Sequence, residues 1–257
     1  MMEFIEQEIS DRILSIRIKR PDKRNALTLA MYQELAAILK QAGEDVAVRV
    51  VVISGSESSF CSGNDINDFL QAGRDANAVR PARDFLHQIA AFKKPIVAAV
   101  NGVAVGIGTT LLLHCDLVYA ADNARFQLPF INLGLVPEGG SSLLLPAMLG
   151  HQKAAELLLL GDSFDAEYAL SLGLVNAVLE SEDLESHARK QAMVLAAKPP
   201  AAMVATKKLL KTHQGKPVTQ VLDEEIDIFA QRLQSPEAIE AFSAFQQRRP
   251  ADFSSFE

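Results

Sequence analysis

Residues 96–113 read IVAAVNGVAVGIGTTLLL and contain, in order, a strand, a turn, a glycine-rich loop and a helix. Residues 96–100 are an uninterrupted run of β-branched and small apolar residues, which is typical of a buried strand. Asn101-Gly102 then turns the chain. The loop through Gly106 and Gly108 leads into a short apolar helix over residues 109–113. This order of elements predicts a parallel α/β arrangement.

The flanking sequence repeats this order as a loose recurrence of two strands and a helix. Strands are predicted at residues 13–18, 50–53, 117–120, 126–128 and 175–179. Helices are predicted after Thr28, which can act as an N-cap, and over residues 85–92, 142–149 and 152–160. From Asp183 onward the pattern is helical, over residues 184–197, 201–210, 218–233 and 236–245. We expect an α/β core over residues 1–190 and a helical region over residues 191–257.

The composition argues against several classes of partner. The chain has 32 acidic and 25 basic side chains and a net charge of −7, whereas nucleic-acid binding needs a basic face. No run of about 18 apolar residues is present to span a membrane. The acidic N-terminus lacks the pattern of a secretory signal, and two cysteines make no disulfide framework. We expect a cytoplasmic protein with no nucleic-acid or membrane partner.

Two glycine-containing loops are candidate functional segments. Residues 60–66 and 101–110 each place a glycine turn before a helix, which leaves backbone N–H groups available to an acceptor. Two such loops that face one point could form an oxyanion hole. For either loop taken alone, helix capping or close packing of helix on strand is the simpler explanation.

The third segment, residues 126–142, places Glu138 between Pro137 and two glycines in an otherwise apolar stretch. An apolar setting raises the pKa of a carboxyl group and fits it for proton transfer. The alternative is an exposed glutamate, or one that stabilises the N-terminus of the next helix. His114 is interpreted as a buried, hydrogen-bonded histidine, and the five histidines lack the spacing of a metal site.

Taken together, these segments resemble the crotonase (enoyl-CoA hydratase/isomerase) superfamily over essentially the whole chain. The resemblance implies an α/β fold in which ββα turns form a spiral, followed by C-terminal helices used in trimer assembly. It implies an acyl-CoA thioester substrate whose carbonyl oxygen is bound by the backbone N–H groups of Asn64 and Ile107. The matching residues occur in the order that the superfamily has: Arg20-Pro21, Asn25-Ala26-Leu27, Ser62-Gly63-Asn64-Asp65-Ile66, Ala98-Ala99-Val100-Asn101-Gly102, Cys115-Asp116 and Gly173-Leu174-Val175.

The residues expected of a hydratase are replaced. Hydratases of this superfamily use two glutamates, which by position would fall at Thr110 and Phe130. The segment around Pro137-Glu138-Gly139 instead resembles the peroxisomal-type Δ3,Δ2-enoyl-CoA isomerases, whose catalytic glutamate corresponds to Glu138. This resemblance implies a single-glutamate proton shuttle that moves a double bond from C3 to C2, with no metal and no cofactor apart from the CoA of the substrate. The alternatives are a hydratase that uses Glu138 alone, another thioester reaction such as hydrolysis, and a non-catalytic CoA-binding protein.

Binding residues and assembly complete the expectations. Lys23 or Arg24 is expected near the CoA phosphates. Assembly is expected to be a homotrimer or a dimer of trimers, because residues 222–233 carry an apolar helical stripe (Leu222, Ile226, Phe229 and Leu233) that needs a partner surface. The expected substrate-binding residues are Ser62, Gly63, Asn64, Asp65, Ile66, Gly106, Ile107 and Phe130.

Overall fold

The computed structural model describes residues 4–56, 58–68, 79–212 and 218–253. Its strands are β1 (Ile5–Ser10), β2 (Ile13–Ile18), β3 (Val50–Ser54), β4 (Ser59–Cys61), β5 (Ile96–Val100), β6 (Val103–Val105), β7 (Leu117–Ala121), β8 (Arg125–Gln127), β9 (Ser163–Asp165) and β10 (Ala177–Leu179). Its helices are α1 (Leu29–Glu44), α2 (Arg80–Ala90), α3 (Ile107–Thr110), α4 (Ser141–Leu149), α5 (His151–Ala155), α6 (Ala166–Ser171), α7 (Leu184–Ala196), α8 (Pro200–Thr212), α9 (Val218–Arg232) and α10 (Pro236–Gln247). Among these described residues, no helix is long and apolar enough to cross a membrane.

The strands form two sheets. The larger sheet has the order β1-β2-β3-β5-β7-β10, and its neighbours are parallel except for β1 and β2. The smaller sheet has the order β4-β6-β8-β9, and its neighbours are parallel except for β8 and β9. The predicted α/β class with parallel strands is confirmed.

Successive strands alternate between the two sheets. β3, β5 and β7 are neighbours in the larger sheet, and the strands that follow them, β4, β6 and β8, are neighbours in the smaller one. Helical residues come after each pair: residues 66–68 after β4, α3 after β6, and α4 after β8. The chain therefore advances as a spiral of ββα turns with a helical C-terminal region, as the resemblance implied.

The sequence pattern did not reveal the six-residue strand β1 or the three-residue strands β6 and β9. β6 and β9 have three residues each, too few to show an alternation of apolar and polar side chains. The strand predicted at residues 175–179 pairs only over Ala177–Leu179. The prediction of a Thr28 cap is confirmed, because its side chain accepts the N–H of Met31 at 3.2 Å at the start of α1.

A buried asparagine fastens the turn of residues 20–25 to β4. Asn25 is fully buried and has a φ of +60°, a conformation that asparagine tolerates better than most residues. Its Nδ2 donates to the Ser59 carbonyl at 2.6 Å, and its Oδ1 accepts the Arg20 N–H at 2.8 Å. These bonds place the turn beside the loop that follows β4.

The apolar stripe on α9 packs inside its own chain. Leu222, Ile226, Phe229 and Leu233 are each at most 7% exposed and belong to the main hydrophobic core. The expectation that this stripe needs a partner surface is therefore wrong. Helical periodicity shows that a face is buried, but it does not show whether the covering surface belongs to the same chain.

Glycines allow the last two helices to approach the segment of residues 130–142. At Gly134 (φ +67°) a Cβ would lie 2.8 Å from the backbone nitrogen of Ala238 on α10. The Gly134 carbonyl accepts a hydrogen bond from Arg232 Nε at 3.0 Å. At Gly140 (φ +73°) a Cβ would lie 3.0 Å from Val218 Cγ1 on α9. The C-terminal helices are thus packed directly on the segment that carries Glu138.

Gly134→Ala should destabilise the protein by about 2–4 kcal/mol, since it adds a backbone clash to the strain of a positive φ. Gly173→Ala is the matched control, because Gly173 has a φ of +75° but nothing within 4 Å of a Cβ position. That control should lose only about 1 kcal/mol from strain. Urea unfolding measures the free energy of unfolding of both variants. Equal losses would show that the packing of α10 does not require a glycine at residue 134.

Candidate active site

Two backbone N–H groups are left without partners at the ends of the glycine loops. Asn64 follows Gly63 (φ +102°), and Ile107 follows Gly106 (φ +55°). Within the described residues, neither the Asn64 N–H nor the Ile107 N–H donates a hydrogen bond to the protein. Ile107 is the first residue of α3, where helix geometry provides no internal acceptor. Both residues line the same cavity.

Glycine also sets how closely the two loops approach each other. They follow β4 and β6, which are parallel neighbours. A Cβ on Gly108 would lie 2.2 Å from the Cys61 carbonyl oxygen, and a Cβ on Gly63 would lie 3.2 Å from the Val105 carbonyl oxygen. Because no side chain fits at Gly108, close packing of backbone on backbone sets how near the two loops lie to each other.

Glu138 lies in a tight turn just before α4. The two glycines that follow it both have positive φ, and Ser141 Oγ donates to the Glu138 carbonyl at 2.6 Å. The Glu138 side chain is only 6% exposed, and its Oε1 accepts a hydrogen bond from Thr110 Oγ1 at 2.5 Å. Thr110 lies three residues after Ile107, on the same face of α3. The carboxyl group therefore adjoins the helix that carries one of the free N–H groups.

The surroundings of Glu138 make it a stronger base than an ordinary glutamate. Burial raises its pKa from 4.5 to about 8, the negative charge of Glu225 acts in the same direction, and the Thr110 hydrogen bond opposes both. No ion pair in the described part of the chain involves Glu138. A carboxyl group with such a pKa can both accept and release a proton near neutral pH.

Uncharged side chains surround this carboxyl group. His114 Nε2 donates to the Gly139 carbonyl at 2.8 Å, and burial lowers the pKa of His114 to about 4, so this histidine is neutral and structural, as expected. The Tyr32 hydroxyl donates to Asn64 Oδ1. Burial raises the pKa of Tyr32, and the nearby charge of Glu138 adds to that effect. Tyr32 thus adjoins both the Asn64 loop and the buried carboxyl.

A cavity of about 320 Å³ lies between the two loops and the C-terminal helices. None of the described residues that line it is charged, and four are phenylalanines. Glu138 is not among them, since its carboxyl group lies against Thr110, one turn of α3 beyond the cavity-lining Ile107. The lining residues are Ser62, Gly63, Asn64, Ile66, Val105, Gly106, Ile107, Gln127, Pro129, Phe130, Asn132, Leu133, Leu135, Phe229, Leu233, Phe242 and Phe245.

The structure brings together seven of the eight expected substrate-binding residues. Ser62, Gly63, Asn64, Ile66, Gly106, Ile107 and Phe130 line the cavity, whereas Asp65 does not. The Asp65 carboxylate instead pairs with Arg20 at 2.8 Å. Burial alone would raise its pKa, but the hydrogen bond from Arg20 and the backbone N–H groups lower it overall. Asp65 therefore holds the loop in place and does not face the ligand space.

The two expected phosphate-binding cations lie at the edge of the first loop. Lys23 and Arg24 are exposed. Their backbone carbonyls accept hydrogen bonds from Ser62, from its Oγ at 3.2 Å and from its N–H at 3.1 Å respectively. Both side chains therefore start beside a cavity-lining residue.

Reasoning from sequence missed two contributions to this site. Phe229, Leu233, Phe242 and Phe245 form part of the cavity wall, although their region was expected to serve assembly. Thr110 is the hydrogen-bond donor to Glu138, although the sequence marked this position only as one where a hydratase would have a glutamate. No spacing in the sequence marks either role, because both depend on which helix packs against residues 130–142.

The ββα spiral, the two backbone donors beside one cavity and the buried carboxyl group are the features expected of the crotonase class. The chain belongs to the enoyl-CoA hydratase/isomerase family, whose model matches residues 8–255. The resemblance inferred from the sequence is therefore confirmed, and so is the fold class that it implied.

Similar proteins include both isomerases and hydratases. Enoyl-CoA delta isomerase 2 of Rattus norvegicus is 38% identical over 243 residues, or 93% of this chain, which spans 62% of that relative's length. The 2,3-dehydroadipyl-CoA hydratase of Escherichia coli strain K12 is 36% identical over 94% of this chain and 95% of its own. The solved structure of Pseudomonas aeruginosa OdaA matches with a TM-score of 0.91 and 51% identity, over 96% of this chain and all of that one. Family membership identifies an enzyme of the enoyl-CoA hydratase/isomerase type.

The buried Glu138 should make the protein less stable as the pH rises. Its pKa is about 8 in the folded protein, above the 4.5 of an unperturbed glutamate, so the folded state binds this proton more tightly. The stability that the proton contributes is complete below pH 4.5 and is lost as the pH rises through about 8. The glutamine of Glu138→Gln stays neutral at every pH. The free energy of unfolding of this variant, relative to wild type, should therefore rise by up to about 1.4 kcal/mol per pH unit across this window.

Urea unfolding of both proteins at about pH 5 and about pH 9 measures this difference. Glu167→Gln, at an exposed position, should show no pH-dependent gain. A constant difference between wild type and Glu138→Gln at the two pH values would contradict the raised pKa.

Proposed function

We propose that this protein is a Δ3,Δ2-enoyl-CoA isomerase that moves a double bond from C3 to C2 of an acyl-CoA thioester. The observation that supports this reaction best is a buried carboxyl group, Glu138, with a raised pKa and, among the described residues, no second unbound carboxyl group beside it. The nearby acid Glu225 is bound to two backbone N–H groups. The positions where the resemblance would put hydratase glutamates hold Thr110 and Phe130.

In the proposed mechanism, the thioester oxygen accepts hydrogen bonds from the Asn64 and Ile107 N–H groups. Glu138 removes a proton from C2, and the electrons of that bond form a dienolate whose oxygen charge the two N–H groups stabilise. The same carboxyl group then returns the proton to C4, which leaves the double bond between C2 and C3. Ile107 and Thr110 belong to the same short helix, α3, so one of the two donors and the residue that binds the Glu138 carboxyl group are three positions apart.

One carboxyl group is enough for this reaction, because the proton that it removes is the proton that it returns. Addition of water would require one group to activate the water and another to protonate carbon. A pKa of about 8 suits Glu138 to the shuttle, since neither its protonated nor its ionised form is strongly disfavoured near neutral pH. The mechanism calls for no metal and no cofactor besides the CoA of the substrate.

Glu138→Gln should lower kcat for isomerisation of 3-hexenoyl-CoA by roughly 10²–10⁴-fold, because the amide cannot accept the proton. Its KM should change little, since the amide keeps the size and polarity of the carboxyl group. Product formation is followed by NMR and mass spectrometry, and in deuterated water only wild type should place label at C2 or C4. Glu167→Gln, at an exposed position, should retain wild-type activity.

The same assay separates the alternatives. A Glu138→Gln variant that isomerises at nearly the wild-type rate would refute the shuttle. Faster addition of water to 2-hexenoyl-CoA than isomerisation would identify a hydratase, and release of free CoA would identify a hydrolase. Binding without any turnover would identify a CoA-binding protein.

The acyl group of the substrate should be uncharged. No charged side chain among the described residues lines the cavity to pair with a terminal carboxylate, and an unpaired buried carboxylate is costly. We expect kcat/KM for 3-hexenoyl-CoA to exceed that for 3-hexenedioyl-CoA, which has the same chain with a terminal carboxylate, by roughly 10²-fold or more. Equal values would show that the acyl chain does not enter this cavity.

Further features of the proposal concern the CoA moiety, assembly and location. Lys23 or Arg24 is proposed to meet the CoA phosphates, because both are exposed and flank Ser62.

Assembly as a homotrimer or a dimer of trimers is proposed through exposed apolar residues such as Leu209 and Leu210 on α8, rather than through the buried α9 stripe. A cytoplasmic location is proposed because both cysteines are free thiols.

A further inference from the structure

A second buried carboxyl group comes from the C-terminal region and binds the turn that carries Glu138. Glu225 lies on α9 and is 6% exposed. Its Oε2 accepts the N–H of Gly140 at 2.6 Å, and its Oε1 accepts the N–H of Ser142 at 2.9 Å. Both of its oxygens are therefore bound to the backbone that immediately follows Glu138.

The position of Glu225 depends on the close approach of α9 to this turn. Gly140 has a φ of +73°, and a Cβ there would come within 3.0 Å of Val218 and 3.7 Å of Leu222, both on α9. Gly140 is also the N-cap of α4 and has no side chain to cap that helix. Glu225, which lies on α9, caps α4 in its place. A negative charge is favoured at a helix N-terminus.

The same turn is closed from the Glu138 side. The Glu138 carbonyl accepts hydrogen bonds from the Ser141 N–H at 3.2 Å and from Ser141 Oγ at 2.6 Å. His114 holds the Gly139 carbonyl. Residues 138–142 thus form a rigid unit that is fastened to α9 at one end and presents the Glu138 carboxyl group at the other.

We infer that Glu225 is a positioning residue for the proton shuttle: it fixes the turn that presents Glu138 and sets a negative charge close to that carboxyl group. The inference rests on the proposed role of Glu138. Burial raises the pKa of Glu225 itself, whereas its hydrogen bonds from Ser142 and the Gly140 N–H favour the ionised form. The other ionisable groups around Glu138 do not offset the charge of Glu225. Burial raises the pKa of Tyr32 on α1 and that of Cys61 on β4, and it lowers that of His114, so all three are neutral near pH 7.

The negative charge acts on the strength of the base. The Glu225 charge raises the pKa of Glu138, in the same direction as burial. Loss of that charge should make the ionised form of Glu138 easier to reach, so Glu138 should titrate at lower pH and become a weaker base. A residue that served only as a helix cap would affect stability and leave this titration unchanged.

The test compares Glu225→Gln, Glu225→Asp and the control Glu224→Gln. Glu224 is exposed on the same helix, so its variant makes the same change of charge away from the turn. The titration of Glu138 is followed by carbon-13 NMR, with its signal assigned from Glu138→Gln. Steady-state kinetics with 3-hexenoyl-CoA over a range of pH gives kcat and KM for each variant.

For Glu225→Gln we expect Glu138 to titrate at lower pH, and the acidic side of the pH profile of kcat to shift to lower pH with it. At the pH optimum, kcat should fall about 10–100-fold. KM should stay within about twofold of wild type, because Glu225 does not line the cavity. Glu225→Asp keeps the charge but is too short to reach both N–H groups. It should leave the titration near that of wild type and lower kcat by a smaller factor.

An unchanged Glu138 titration in Glu225→Gln, with only a lower melting temperature, would reduce Glu225 to a helix cap and overturn the inference. If Glu225→Gln does not fold, Glu225→Asp decides, because a wild-type kcat in that variant would also overturn it. If wild type itself shows no isomerase activity, the proposed function fails, whereas the NMR titration still tests the link between Glu225 and Glu138.

Discussion

The candidate site depends on one close contact between two stretches of backbone. The loop after β6 packs so tightly against the end of β4 that even a Cβ at Gly108 would overlap the Cys61 carbonyl. Parallel pairing of β4 and β6 brings the two loops together. The positive φ values of Gly63 and Gly106 leave the next N–H of each loop free. A donor pair made of backbone in this way costs no rearrangement when charge develops on a bound oxygen.

The buried carboxyl group is held next to these donors at a cost to stability. Glu138 is removed from water, and within the described part of the chain no cation pairs with it, so its ionised form is disfavoured and its pKa rises. Neutral donors and backbone contacts hold it instead: Thr110 binds its side chain, while His114 and Glu225 bind the two residues after it. The protein thus loses folding stability at high pH, and in return the Glu138 carboxyl group has a pKa suited to proton transfer. Such a loss of stability is common at functional sites.

The C-terminal helices contribute to the site as well as to the core. They supply apolar walls to the cavity. In addition, Glu225 on α9 binds the backbone of the turn that carries Glu138. Relatives in this family include an isomerase and a hydratase that share a third or more of their residues with this chain. Because one fold carries both reactions in these relatives, the fold alone does not determine the reaction, and the side chains of the site must do so.

The sequence alone determined the class of fold and the part of the cavity lining that lies on the two glycine loops and at Phe130. Buried strands, glycine turns and helix starts recur in local patterns, and the positions of Asn64, Ile107 and Glu138 follow from those patterns together with the family resemblance. Only the tertiary structure decided that Asp65 binds Arg20, that the α9 stripe is buried in its own chain, and that Thr110 and Glu225 bind Glu138 and the turn that carries it. These contacts join residues far apart in the chain. Local periodicity shows that a side chain is buried, but only the packing of helices and loops determines which partner it meets.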